Sequence, residues 1–398
     1  MRIAMVSEHA SPLAVLGGAD AGGQNVHVAA LSLALAERGH QVEVYTRRDD
    51  PDSPDVVPLG PGVDVIHVPA GPPEPIPKDN LLPYMRSFGQ WLGGRWSPEP
   101  PDVVHAHFWM SGFACLEARR AVAFPFAQTF HALGVVKRRH QGAADTSPRP
   151  RLEIETTLAA EADAVIATAT DEVRELLALD APTESMHVVP CGVDIFGSTE
   201  PQEHWWRTRP GNRILSLGRL VERKGVDTVI QAVGRLPGTE LVVAGGPTVA
   251  FDSDPEVRRL RREADRVGAA DRVHLVGAVS RGDVPTLIRS ADVVVCTPWY
   301  EPFGIVPLEA MSCGRPVVAA AVGGLVDTVV DGVTGVLVPP KDPDRLAVAL
   351  QELLGDPDRR RRLGEAGAAR VADKYTWPKV AADTEQVYRR ILVREVVR

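Results

Sequence analysis

The chain has 398 residues, 44% hydrophobic and 24% charged, with a formal net charge of −8 and four cysteines. That length exceeds one ordinary core and fits two domains of roughly 150–200 residues each, and no apolar run reaches the roughly 18 residues that a spanning helix needs, so a soluble protein is expected. The acidic balance disfavours nucleic acid as a partner, and Cys115, Cys191, Cys296 and Cys313, with no C-x-x-C pair, disfavour a disulfide framework or a zinc site, so a reducing cytoplasm is the expected setting.

The opening "MRIAMVSEHASP" has one early Arg and a short apolar run, and reads as a first strand rather than a signal peptide. "LGGADAGGQNVHVAALSLALAERG" follows as a glycine-rich loop leading into a helix whose apolar Val26, Ala30 and Leu33 recur at helical spacing. Backbone N–H groups around Gly22 and Gly23 at such a helix start favour an anion; the pattern is not G-x-G-x-x-G, and a plain flexible turn is the competing reading. Strands "QVEVYTR" and "VDVIHVP" come next, then "PAGPPEPIPKDN", a proline-rich surface loop. "PDVVHAHF" places His105 and His107 on one face of a strand, but the absence of a nearby carboxylate or cysteine at ligand spacing disfavours a metal. "PFAQTFH" ends at His131, and a strand-end histidine is more often structural than functional. "ADAVIATAT" closes the first half, and "VVPCGVDIFGSTEPQEHWW" interrupts the rhythm, placing a domain joint near residue 195.

The second half repeats the pattern with "NRILSLGR", "TELVVAGG", "RVHLVGAV", "ADVVVCTP", "RPVVAAA" and "TGVLVPP". Continuous apolar strands separated by helices imply parallel sheets covered on both faces, so each half reads as a doubly wound α/β domain. Ligands of such sheets bind beyond the carboxyl ends of the strands. There stand Gly218 with Arg219 and Lys224, able to clamp a diphosphate or to form a solvated loop paired with Glu222, and the glycines Gly245 and Gly246. There too stands "WYEPFGIVPLEAMSCG": a loop carrying Glu301, a helix from about Ile305 to Ser312 with Pro307 in its first turn, Glu309 inside it and Gly314 beyond it. Glu301 can accept from hydroxyls and Glu309 can reach a second polyol such as a ribose; the alternative is a dipole partner and a surface acid. "RRLRREADR" and "RRRR" read as solvated helix faces, with anionic lipid as the alternative contact, and the D-x-D triplets read as turn and capping chemistry. The last helix is opened by Thr376, with Pro378 early in it.

In order along the chain, "GGADAGGQNVHV", "HAHFWMSG", "FHALGVVKRRHQG", "VVPCGVD", "GRLVERKGVDTVI" and "EPFGIVPLEAMSCGRPVVAAAVGGLVDTVVDGVTGVLV" resemble the retaining nucleotide-sugar glycosyltransferases of family 4, which include sucrose synthases, sucrose-phosphate synthases and actinobacterial inositol-phosphate N-acetylglucosaminyltransferases. The resemblance implies the GT-B architecture: an acceptor-side Rossmann-like domain (1–195, with helix 377–398 crossing back) and a nucleotide-sugar domain (196–376). It implies a UDP- or GDP-sugar donor, a small-molecule or glycan acceptor, and no required cofactor or metal. By that likeness Gly22 and Gly23 approach the donor diphosphate, while Gly218, Arg219, Lys224 and Gly245 hold it. Glu301 meets the donor sugar, the Phe303, Gly304, Ile305 and Val306 backbone faces sugar and phosphate, Glu309 takes the ribose and His131 lies beside the transferred sugar. A hydroxyl residue follows that histidine in the inositol-phosphate members, where this chain has Ala132. His107, Lys137 and Arg151 are the candidate acceptor residues, with an exposed basic loop as the other reading of the last two; His9 and Ser11 border the acceptor space. The competing functions are a nucleotide-sugar 2-epimerase and a non-catalytic nucleotide-sugar-binding protein.

Overall fold

The computed structural model describes residues 1–14, 23–196 and 211–397, with side chains as far as residue 393. Gly22, a predicted site residue, lies outside the described residues. The chain forms two compact units, Met1–Gly192 together with the stretch from Trp377 onward, and Val193–Thr376.

The first unit is built on an eight-stranded sheet. Its strands are β1 (Arg2–Val6), β2 (Gln41–Arg47), β3 (Val56–Gly60), β4 (Val63–Val68), β5 (Val103–His107), β6 (Phe126–Thr129), β7 (Ala164–Ala167) and β8 (Met186–Val188), in the order β3-β4-β2-β1-β5-β6-β7-β8. β1 pairs in parallel with β2 on one side and β5 on the other, so the winding reverses there, and the carboxyl ends of β1 and β5 flank the switch point. Every residue of β5, and all of β1 after Arg2, is buried, as helices on both faces require.

β3 and β8 were not among the predicted strands, and β3 also departs from the all-parallel expectation by pairing antiparallel with β4. Both are edge strands, and β3 carries Pro58, which lacks the N–H a central strand needs. The proline-rich 69–80 segment is largely exposed, yet its backbone anchors a buried cation, because the Arg47 guanidinium donates to the carbonyls of Pro72 (2.7 Å) and Glu74 (2.6 Å).

The second unit holds β9 (Asn212–Leu217), β10 (Thr239–Ala244), β11 (Val273–Gly277), β12 (Val293–Cys296), β13 (Val317–Ala320) and β14 (Gly335–Val338), in the order β11-β10-β9-β12-β13-β14, all parallel. Successive strand residues alternate between two apolar layers. Ile214, Val243, Val293 and Val295 face Val229, Leu346 and Leu350, whereas Leu215, Val242 and Val294 face Ile288, Leu308 and Met311. A strand apolar at every position is thus explained by burial on both sides. The winding reverses between β9 and β12, which brings the loops after these two strands together. In three of the D-x-D triplets one aspartate is a helix cap: Asp254 accepts from the backbone of Glu256 and Val257, Asp342 from Arg345 and Asp356 from Arg359, while Asp50 of the fourth accepts from the Asp52 backbone at 3.0 Å.

Candidate active site

In the first unit, four imidazoles converge beneath the carboxyl end of the sheet. His105 and His107 come from β5, His131 follows β6, and His27 lies on the helix Gly23–Glu37; none is more than 5% exposed. His107 Nδ1 and His131 Nε2 are 3.0 Å apart, their rings stack at 5.2 Å, and His27 meets His131 edge-on at 5.2 Å. His105 Nδ1 stands 2.7 Å from the Tyr388 hydroxyl on the last helix, and its Nε2 stands 2.8 Å from Thr129 Oγ1. Burial drives every ring toward its neutral form: His27 falls to about 4, His105 to about 3, and His107 and His131 well below the ordinary range, each further disfavoured by its neighbours except His27, where burial alone acts. Between His107 and His131 one nitrogen must therefore donate and the other accept. His131 also sits at φ +60°, a left-handed conformation uncommon outside glycine, as Phe108 does at +82°.

At the switch point Glu8 follows β1 fully buried. Its carboxylate takes the Ser111 hydroxyl and lies 2.7 Å from His9 Nδ1, while Ser111 Oγ accepts from the Glu8 backbone at 3.0 Å. Gln24, one residue after Gly23 at the helix start, donates to Ser7 Oγ (3.2 Å) and to the His107 carbonyl (3.3 Å), which ties the glycine loop's exit to both central strands.

In the second unit, glycines shape the strand-end loops. Gly218 and Gly245 have φ of +143° and +128°, and a Cβ on Gly245 would lie 1.9 Å from the Gly218 carbonyl oxygen, so the turns after β9 and β10 touch backbone to backbone. Gly304, at φ +80°, precedes the helix Ile305–Ser312. The cation of Lys224 donates to Glu301 Oε2, joining the loop after β9 to the loop after β12. Burial pushes the Glu301 carboxyl up, but Lys224, Arg223 and Arg219 outweigh it and hold the carboxyl below its ordinary value, so the acid is a carboxylate. The Arg219 side chain is exposed. Glu309 is only 3% exposed. Burial raises its carboxyl above the ordinary range despite Arg281, whose guanidinium donates to Glu309 Oε1 and, at 3.1 Å, to Asp194 Oδ2.

Comparisons with known proteins place the chain in a family. The "Glycosyl transferase 4-like domain" description matches residues 22–192, and "Glycosyl transferases group 1" matches residues 205–370. A D-inositol 3-phosphate glycosyltransferase of Xylanimonas cellulosilytica is 39% identical over all of this chain and 98% of its own length. The chain belongs to the group 1 glycosyltransferases. A second relative of the same name, from Mycobacterium marinum, is 36% identical over 98% of this chain and 86% of itself. Sucrose-phosphate synthase from Thermosynechococcus elongatus matches in structure with a TM-score of 0.90 at 33% identity, covering 99% of each chain. The Anabaena protein HepE, solved with UDP-glucose, shares the fold at 20% identity and a TM-score of 0.72, over 98% of this chain and 99% of its own. The protein is a glycosyltransferase of the GT-B type.

Within this glycosyltransferase the structure overturns the exposed-loop reading of Lys137 and Arg151, both of which lie on helices and are paired. Arg151 is no exposed loop cation: it is 3% exposed, its Nε donates to Glu155 Oε1 at 2.8 Å, its fork reaches the Ala132 carbonyl at 2.6 Å, and it lies over the Phe108 ring at 5.2 Å. Glu155 in turn accepts from the Gly134 backbone at 2.8 and 3.1 Å, so the pair braces the segment after His131. Lys137 is likewise engaged, 3.1 Å from Asp145 and 3.6 Å from Asp79. Arg281 was missed because its loop, "SRGD", has no signal beyond an ordinary turn; only the fold brings it to Glu309. Among the described residues no cluster of three or more His, Cys, Asp or Glu is arranged to hold a metal, and no helix is long and apolar enough to cross a membrane.

Proposed function

We propose that this glycosyltransferase moves a sugar from a nucleoside-diphosphate donor, of the UDP or GDP type, to a hydroxyl acceptor with net retention. The second unit holds the donor. Arg219 and Lys224 face its diphosphate together with the turns at Gly218 and Gly245, Glu301 and the backbone of 303–306 address the sugar, and Glu309 accepts from the ribose. From the first unit, Gly22 and Gly23 address the donor diphosphate and His131 the transferred sugar, and His107, Lys137 and Arg151 are the candidate acceptor residues.

The observation that carries this reading is the Lys224–Glu301 pair beside an exposed Arg219 and a glycine-preceded helix start. In the reaction the bond from the anomeric carbon to the phosphate oxygen breaks, and negative charge grows on the diphosphate as positive charge grows on the sugar. Fixed cations and backbone N–H groups stabilise the first, and the Glu301 carboxylate, kept ionised by three cations, stabilises the second and orients the sugar hydroxyls. The acceptor oxygen bonds to the same face of the anomeric carbon while its proton passes to the departing phosphate oxygen. His131, neutral and in a fixed strained conformation, serves as a hydrogen-bonding group to the sugar rather than as a cation.

Membership of the glycosyltransferase family disfavours the epimerase alternative. Incubating the protein with UDP-, GDP- and ADP-sugars, with and without candidate polyol acceptors, tests the reading. Transfer with the anomeric configuration kept, followed by NMR, supports it; conversion of UDP-GlcNAc without an acceptor, or tight nucleotide binding with no transfer to any acceptor, refutes it.

A further inference from the structure

Glu309 stands on the second turn of the helix Ile305–Ser312 with its carboxylate almost wholly removed from water. A buried carboxylate needs a partner to stay charged and a brace to stay aimed. Both come from outside its helix. Arg281 projects from the turn after β11, and that turn is fixed by its own bonds: Ser280 Oγ donates to Asp283 Oδ2 at 2.6 Å, and the Asp283 backbone donates back to Ser280 Oγ at 3.3 Å. The guanidinium forks, one arm to Glu309 Oε1 and the other to Asp194, and it lies 5.8 Å from the centre of the Phe196 ring. Asp194 is anchored through its neighbour, since the Val193 backbone donates to the Tyr375 carbonyl at 2.8 Å. With Oε1 taken, Oε2 is the oxygen left to accept from a ligand, and it accepts nothing from the described residues.

We propose that Arg281 is a positioning residue for nucleotide binding: it fixes Glu309 as an ionised, correctly aimed acceptor for the ribose hydroxyls, with Asp194 setting the angle of the guanidinium. This rests on the donor-site reading given above. The groups that bear on Glu309 are Arg281, which favours its ionised form, Asp194, which opposes it, and the thiols of Cys296 on β12 and Cys313 beyond the helix end. Burial and nearby acids keep both thiols protonated, Cys296 at about 12, so Arg281 is the cation Glu309 depends on. Without it, the Glu309 carboxyl rises further.

The test uses the full-length chain, with Arg281→Ala, Arg281→Lys and Glu309→Gln. Titration with UDP, GDP and their 2′,3′-dideoxy counterparts reads the ribose contact directly. Wild type is expected to prefer the ribose form of its nucleotide by about tenfold or more, R281A to lose most of that preference, and R281K to recover part of it. In kinetics, R281A is expected to raise the donor KM by about ten- to thirtyfold with kcat changed far less, and to move the acid limb of kcat/KM about one pH unit upward. If R281A remains folded and keeps both the ribose preference and the acid limb of wild type, the inference fails while the donor site stands. If wild type binds none of the nucleotides, the donor site itself is wrong and the inference falls with it.

Discussion

Lys224 and Glu301 meet as a cation and a carboxylate across two loops that are 77 positions apart in sequence and adjacent only because β9 and β12 are neighbours in the second sheet. The Glu301 side chain is 17% exposed, so the charge is mostly out of water and depends on the cations that face it. Replacing Lys224 by Met is expected to reduce kcat by about 10²- to 10³-fold, since in the proposed donor site it removes a fixed charge from the developing leaving group, and it weakens the hold on Glu301. The sign of the pH effect follows. A carboxyl held low in the folded state contributes stability above its unfolded value and loses it as pH falls through the folded value. K224M should therefore lose activity and stability at a higher pH than wild type on acidification, measured by pH–rate profiles and denaturant titration; coincident acid limbs in the two proteins count against the pairing.

The histidine cluster yields a second expectation. Burial holds His27, His105, His107 and His131 neutral, so none should titrate between pH 6 and 8. Imidazole NMR shifts for these four rings should stay constant over that range, in contrast to any exposed histidine. H131A is expected to lower kcat by about tenfold or more through loss of a hydrogen-bonding group, and the pH dependence of the residual activity should match wild type. A change in that profile would mean that His131 acts as a charged group.

Two glycines allow a contrast in stability. A Cβ at Gly245 would lie 1.9 Å from a backbone oxygen, whereas one at Gly314, at φ +69°, would meet nothing within 4 Å. Gly314→Ala carries only the left-handed backbone penalty, about 1 kcal/mol. Gly245→Ala must also part the turns after β9 and β10, and is expected to cost about 3 kcal/mol or more and to weaken nucleotide binding. Urea titrations of both variants, with equal losses as the contrary result, check this.

The architecture was readable because its signals are local. Unbroken apolar strands such as "DVVVC" mark burial on two faces, and the helix Ile305–Ser312 runs over the residues read from Gly304, Pro307 and Gly314. β3 and β8 escaped for the opposite reason: one carries a proline, the other has three residues, and edge strands need no continuous apolar run. Within the candidate site, Glu301 and Glu309 were singled out by their spacing within one strand–loop–helix stretch. Their partners were not all so. Lys224 stood out as a cation at a strand end, but Arg281 lies 28 positions before Glu309 in a turn of ordinary composition. Arg151 shows the converse, in which a basic residue whose sequence left an exposed loop open as one reading is buried against Glu155.

That last residue gives the final test. Arg151 and Glu155 are an i, i+4 pair with side chains 4% and 0% exposed, and Glu155 also accepts the Gly134 backbone. Removing the arginine strands a buried carboxyl whose value burial already raises above the ordinary range, with Arg151 the first influence opposing it. Arg151→Ala should therefore destabilise the first unit by about 3–5 kcal/mol, and Arg151→Lys should recover only part, because an ammonium cannot serve Glu155 and the Ala132 carbonyl with one planar fork. Arg151→Ala together with Glu155→Leu removes both charges and should be less destabilising than R151A alone. A direct acceptor-phosphate ligand would behave differently, raising the acceptor KM in R151A while leaving the unfolding midpoint in place; thermal denaturation beside acceptor kinetics separates the two.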